Sequence, residues 1–367
     1  MDPLQPSLFG DDTPTSPAPP PHPPDRRQRP ERGVLVLPAA IDPALEALSR
    51  QLPARLRLGT SSWNFPGWAG LVWGDEYEAA MLSRHGLPAY ARHPLLRTVS
   101  LDRSFYRPLT AAQYADYAAQ VPDDFRFVVK APSLVADALV RDADGRGMQP
   151  NTTFLDATLA VEQFARPALD GLGHKLGVLV FQLSPLPARW LQQLPELLAR
   201  LQRLLDTLPA LQPAAPDAVV ALEVRDAELL APPFVDVLRA AGATYCLGVH
   251  PKLPPIAEQL PLLRALWPGP MVCRWNLNAV NGAYGYEDAR ARYAPFNDIV
   301  DADPATRETL ARGIRATTAA GHNAFITINN KAEGSAPQSV AALAAAVASG
   351  DGDPAPSALG TAASPGA

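Results

Sequence analysis

Eight short apolar runs rich in β-branched residues punctuate this chain. Each gap between them holds a segment of helical periodicity or helix-forming composition. The runs are RLRLGTSS (55–62), LLRTVSLD (95–102), FRFVVKAP (125–132), KLGVLVFQL (175–183), AVVALEVR (218–225), ATYCLGVH (243–250), MVCRWNL (271–277) and AFITINN (324–330). Among the segments between them are TAAQYADYAAQV, FLDATLAVEQFARPAL, RWLQQLPELLARLQRLL, FVDVLRAAG and ATRETLARGIRATTAAG. Gly173, Gly242 and Gly321 stand where three of these helices should stop. Eight strand–helix units in one stretch of chain point to an α/β fold, a (β/α)8 TIM-type barrel. The rival is an open doubly wound sheet, but no glycine-rich phosphate loop follows the first strand.

Both ends read differently. Ten of the 41 prolines fall in the first 30 residues, and proline removes backbone donors while the segment offers little apolar surface to bury. The expectation is a disordered Pro-rich arm over 1–33, a barrel over 34–349 and a disordered tail over 350–367. Within the arm, Gln5-Pro6-Ser7-Leu8-Phe9 resembles the short peptide by which bacterial replication and repair proteins dock on the DNA sliding clamp. In that reading Leu8 and Phe9 fill an apolar pocket and Gln5 supplies hydrogen bonds.

Composition narrows the function. Hydrophobic residues at 47% allow a sizeable core, and a formal charge of −5 argues against a chain that coats nucleic acid. Two cysteines make no disulfide framework; the alternation puts Cys246 and Cys273 on opposite faces of neighbouring strands, as buried reduced thiols. No apolar run reaches membrane-spanning length and no secretory signal is visible, so a cytoplasmic location is expected. The basic residues are almost all arginine, with lysine only at 130, 175, 252 and 331. Lysine positions are therefore informative.

A barrel does its chemistry at the C-terminal ends of its strands, and polar residues gather there. The first strand runs into Trp63, the second into Ser100, Asp102, Phe105 and Tyr106, and the third into Lys130. The fourth carries Gln182, the fifth ends in Glu223 and Arg225, and the sixth in His250. The seventh ends in Arg274 and Asn276, and the eighth in Asn329, Asn330 and Lys331, with Glu333 two residues on. Buried charges need partners, and a mouth holding Lys130, Arg225, Arg274 and Lys331 against Glu223 and Glu333 should be net positive. A small carboxylate or phosphate is the expected ligand. The expected roles are Glu223 as acid or base and Lys130 as anion holder or Schiff-base nucleophile. Arg225, Arg274, Gln182, Asn330, Lys331, His250, Asn276, Trp63 and Tyr106 are the expected binding groups. Histidine is too scarce at the strand ends for a multi-metal centre, and no cofactor is expected. A metal-independent hydrolase or lyase is the enzymatic reading; a ligand sensor without catalysis is the other.

Six segments in order, GTSSWNFPGWAG (59–70), SFYRP (104–108), FRFVVKAP, LGVLVFQL (176–183), ALEVRD (221–226) and NNKAEGSAP (329–337), resemble the motifs of the YecE-like family, domain of unknown function 72. The resemblance covers roughly 55–348 and implies a TIM-type barrel without implying an activity. Lys130, Gln182, Glu223, Arg225, Arg274 and Asn330 keep its pattern. Ser100 and Asp102 stand where the family reads glutamate and asparagine, Ala136-Asp137 where it reads Thr-His, and Asn276 where it reads histidine.

Overall fold

A computed structural model describes residues 35–142 and 146–350. The arm (1–33), with its 5–9 segment, and the tail from 351 onward lie outside the described residues.

Among the described residues ten strands follow in chain order: β1 (Leu56–Thr60), β2 (Thr98–Leu101), β3 (Arg126–Lys130), β4 (Leu139–Arg141), β5 (Gly147–Pro150), β6 (Leu176–Gln182), β7 (Val219–Glu223), β8 (Thr244–Val249), β9 (Met271–Trp275) and β10 (Ala324–Ile328). All but β4 and β5 pair in parallel with their chain neighbours, and β10 returns to β1, closing an eight-stranded barrel. Each barrel strand falls inside one of the eight apolar runs. The antiparallel hairpin β4–β5 is an insertion after β3 that no apolar run announced.

The helices between strands start and stop where local chemistry dictates. Thr110 and Gln113 form a reciprocal capping box at the start of Ala111–Ala118. Gly173, Gly242 and Gly321 take positive φ where helices stop, a backbone conformation that glycine adopts at no steric cost. The segment expected as one helix over 154–169 is instead broken by a π turn at Val161–Ala165. Pro167 has no N–H to return to the preceding turn, which favours a wider turn just before it.

Strand alternation sorts the core into two layers. Outward-facing Leu58, Val99, Phe127, Leu179, Leu222, Leu247, Cys273 and Ile326 pack under the helices. Val128, Val178, Val180, Ala221, Cys246, Val272 and Phe325 fill the barrel interior as a separate cluster. Burying each large aliphatic or aromatic side chain contributes about 1.5–3 kcal/mol. Gly59 lets β1 approach β2, because a Cβ there would lie 1.8 Å from the Thr98 carbonyl oxygen. Beneath the apolar plug, at the N-terminal end, Arg126 pairs with Asp217 at 2.8 Å and Asn323 donates to the same carboxylate at 3.2 Å. That pair floors the barrel. Among the described residues no helix is long and apolar enough to cross a membrane.

Candidate active site

Two residues further along the same strands, the interior turns from apolar to ionic. Val128 is followed by Lys130, Val180 by Gln182, Ala221 by Glu223 and Val272 by Arg274, each pair on one face because the strand period is two. The plug therefore carries a polar layer on its upper side, facing the βα loops.

Arg274 organises that layer. Its Nη1 donates to Glu223 Oε2 at 2.7 Å and to Gln182 Oε1 at 3.0 Å, and its Nη2 donates to both oxygens of Asp102 at 2.8 and 3.0 Å. Arg225 Nη2 pairs with Glu223 Oε1 at 2.7 Å, and Asn276 Nδ2 donates to that oxygen at 3.2 Å. Ser100 Oγ donates to Asp102 Oδ1 at 2.6 Å. Burial pushes the Glu223 carboxyl up, but Arg225 and Arg274 outweigh it and hold the group below the usual carboxylate range. Burial likewise opposes charge on Arg274, and Asp102 and Glu223 more than restore it.

Above this network lies a cleft of about 110 Å³. Its walls include Asp102, Phe105, Tyr106, Lys130, Gln182, Arg225, His250, Arg274, Asn276, Tyr286 and Asn329. Lys130 is half-buried, with Nζ 3.6 Å from the centroid of the Phe105 ring. Among the described residues its ammonium makes no hydrogen bond and no ion pair within 4.0 Å. Burial lowers its pKa to about 8; Arg274 and Arg225 push the same way, against Asp102 and Glu223. Arg225 Nη1 is also buried without a hydrogen-bond partner; Gly248 lies beside it, where a Cβ would make an ordinary contact at 3.6 Å. His250 Nδ1 accepts from the Lys252 backbone N–H at 3.1 Å, so in the neutral ring Nε2 carries the proton. Tyr106 borders the opening, its hydroxyl pushed up to about 12 by burial and by Asp102.

Eight expected site residues thus converge: Lys130, Gln182, Glu223, Arg225, His250, Arg274, Asn276 and Tyr106. Glu223 does so from behind the wall. It is fully buried, both oxygens are occupied, and it is not exposed to the cleft, so the acid–base role expected of it has no geometry to act through. Its work here is to hold two guanidinium groups in place.

Three others lie elsewhere. Trp63 packs edge-to-face on Tyr117 at 5.8 Å in the outer core. Asn330 Oδ1 accepts from Trp68 Nε1 at 3.1 Å and from the Ala336 backbone N–H at 2.8 Å, which ties two loops together. Lys331 is buried under the 278–302 excursion, its Nζ 4.0 Å from the Tyr286 ring, and burial lowers its pKa to about 8. Glu333, expected beside it at the mouth, accepts from the Asp303 backbone N–H and pairs with Arg307 at 3.2 Å instead.

Asp102, Phe105 and Asn329, which the sequence places at strand ends, also line the cleft; Arg141, Ser184, Pro185 and Tyr286 line it without having been anticipated. Arg141 reaches the cleft from β4, tied to Asp137 at 2.6 Å. Asn329 Nδ2 donates to the Tyr286 hydroxyl at 3.4 Å. Strand parity alone marks Asn329 rather than Asn330, because Phe325 and Thr327 share its face. No comparable signal exists for Arg141 or Tyr286, which arrive on the hairpin and on a helix between β9 and β10.

The family model "Protein of unknown function DUF72" matches residues 57–360, most of the chain. The chain belongs to the DUF72 family. Among solved structures, this DUF72 barrel is similar to a DUF72 family protein of Enterococcus faecalis V583, with TM-score 0.51 and 18% identity, covering 81% of this chain and 97% of that one. A DUF72 family protein of Thermotoga maritima MSB8 aligns with TM-score 0.49 and 17% identity, covering 80% and 97%. No curated protein matches this chain. At such identities the likeness shows the barrel shared by this DUF72 chain and the E. faecalis protein, and leaves the ligand to the site itself.

Proposed function

We propose that the cleft binds a small carboxylate- or phosphate-bearing molecule. The observation that carries this reading is a pair of cationic residues on its wall with hydrogen-bonding capacity uncommitted: Lys130, whose ammonium rests on the Phe105 ring alone, and Arg225, whose buried Nη1 has no hydrogen-bond partner. A buried donor left unpaired costs about 1–3 kcal/mol, and an anion seated between the two would offset that cost. Three cations, Lys130, Arg225 and Arg274, face two carboxylates, Asp102 and Glu223, which leaves the layer one positive charge in excess. A 110 Å³ space suits a ligand of a few heavy atoms rather than a polymer strand.

A thermal-shift screen of small carboxylates and phosphates against the native chain and Lys130→Met tests this. Saturable stabilisation by one anion class, lost in the variant, is the expected result; equal shifts in both, or none, would remove the reading.

Clamp docking through Gln5, Leu8 and Phe9, and a cytoplasmic location, are proposals resting on the sequence alone. Titrating a peptide of residues 1–12 against a sliding clamp, with Leu8→Ala/Phe9→Ala as control, tests the first.

A further inference from the structure

We infer that Lys130 is a nucleophile that forms an imine with the carbonyl carbon of an anionic 2-oxo acid or aldehyde acid bound in this cleft. The inference deepens the anion-binding reading and rests on it.

An amine must meet three conditions to do this. It must open on space where a carbonyl can sit, it must not be tied up in hydrogen bonds, and its surroundings must favour the neutral form. Lys130 meets the first two by placement. It projects from the end of β3 onto the cleft wall, and its Nζ has the Phe105 ring, with no carboxylate within 4.0 Å. Burial beside the Phe105 ring meets the third: desolvation outweighs the pull of Asp102 and Glu223 toward the ammonium, and Arg274 and Arg225, each fixed by Glu223 in the same polar layer, push the same way as burial. A lysine titrating near 8 offers about 300-fold more free amine at pH 7 than one at the ordinary value.

Arg225, whose Nη1 has no hydrogen-bond partner, would hold the ligand's carboxylate and so set the distance from Nζ to the carbonyl carbon, while Arg274 stays committed to Glu223, Gln182 and Asp102. The step is a simple exchange. The amine lone pair forms the C–N bond, the carbonyl π pair moves to oxygen, which takes a proton, and the nitrogen releases one. The hydroxyl then takes a second proton and leaves as water while the nitrogen lone pair forms the C=N bond, and the nitrogen releases its remaining proton. Tyr106, Tyr286 and Asp102 line the same space and are the groups placed to pass those protons.

Lys331 is the internal contrast. Its pKa is lowered as far, yet it is buried under Tyr286 away from the cleft wall. Lys175 is spent on the Ala118 and Val121 carbonyls at 2.9 and 2.7 Å. A chain with four lysines thus gives a clean map.

The experiment incubates the full chain with glyoxylate and cyanoborohydride at pH 7, then locates carboxymethylated lysines by peptide mass spectrometry. Glycolate, the same anion without a carbonyl, serves as competitor and as thermal-shift ligand. The expected result is modification of Lys130 at least about tenfold faster than Lys252, slowed by glycolate, with Lys331 untouched. Lys130→Arg should lose only that adduct. If glycolate stabilises the native chain but Lys130 reacts no faster than Lys252, the imine inference is overturned while anion binding stands. If Lys130 reacts fast but glycolate neither slows it nor shifts the melting temperature, the anion subsite is wrong and the substrate class falls with it.

Discussion

Lys130 Nζ stands 3.6 Å from the centroid of the Phe105 ring, so this amine on the cleft wall rests on an aromatic face rather than on a carboxylate. A cation–π contact of this kind stabilises the ammonium by about 0.5–2 kcal/mol, less than an ion pair with full hydrogen bonding would in the same place. Desolvation wins, and the group is poised to change charge near neutrality.

That poise has a signed consequence for stability. Between pH 8 and the ordinary lysine value of 10.5 the unfolded chain binds a proton at residue 130 that the native chain has released. Native stability therefore rises with pH across this window, and the gain is absent below it. Lys130→Met is expected to melt higher than the native chain at pH 7, by about 1 kcal/mol, with the gap closing between pH 8 and 10.5. Melting curves of both proteins at half-unit pH steps check this.

Glu223 is predicted to matter through its charge, not through proton transfer. Glu223→Gln keeps the shape but leaves Arg225 and Arg274 facing a neutral amide, and breaking a buried pair from one side costs about 3 kcal/mol. Urea denaturation should show that loss. A variant as stable as the native chain would mean that the two guanidinium groups do not depend on this carboxylate.

Gly248 separates placement from charge. A Cβ there would lie 2.7 Å from Leu253 Cδ1 and 3.6 Å from Arg225 Nη1. The flexible leucine tip can give way and 3.6 Å is an ordinary contact, so Gly248→Ala should fold with the Arg225 guanidinium in place, its methyl taking up space beside Nη1 and lowering the affinity for an anion seated there roughly tenfold. Calorimetric titration of the anion that the thermal-shift screen identifies measures this directly.

The floor of the barrel supplies the opposite control. Arg126 beside Asp217, with the Asn323 amide, outweighs the upward push of partial burial and holds that carboxyl below its ordinary value. Its contribution is present above the ordinary carboxylate pKa and is lost as pH falls through the lowered one. Asp217→Asn should cost about 1 kcal/mol at pH 7, flatten the acid limb of the stability curve, and leave anion binding unchanged. Weakened binding would show that the two ends of the barrel are not independent.

The barrel was legible because each apolar run had strand length and each gap had helical period, and closure needs no long-range information beyond eight such units. The polar layer was legible to the same depth. Lys130, Gln182, Glu223 and Arg274 continue the parity of apolar interior positions. Two things were not. Glu223 occupies a strand end like its neighbours, and only the positions of Arg225 and Arg274 show that both its oxygens are taken. Arg141 and Tyr286 reach the cleft from a hairpin and a helix whose docking depends on tertiary packing, so no spacing in the chain announces them. Asn329 was within reach, since it shares parity with Thr327, whereas Asn330 faces outward to Trp68.

The most direct test of the cleft's chemistry is the titration of Lys130 itself. With lysine labelled by carbon-13 at Cε, the four lysines give four resonances, assigned by comparison with Lys130→Met. The expected result is that the Lys130 signal titrates near pH 8 and that a bound carboxylate moves its midpoint upward, because an anion beside the ammonium favours the proton. A Lys130 signal that titrates near 10.5 and ignores every added anion would contradict it.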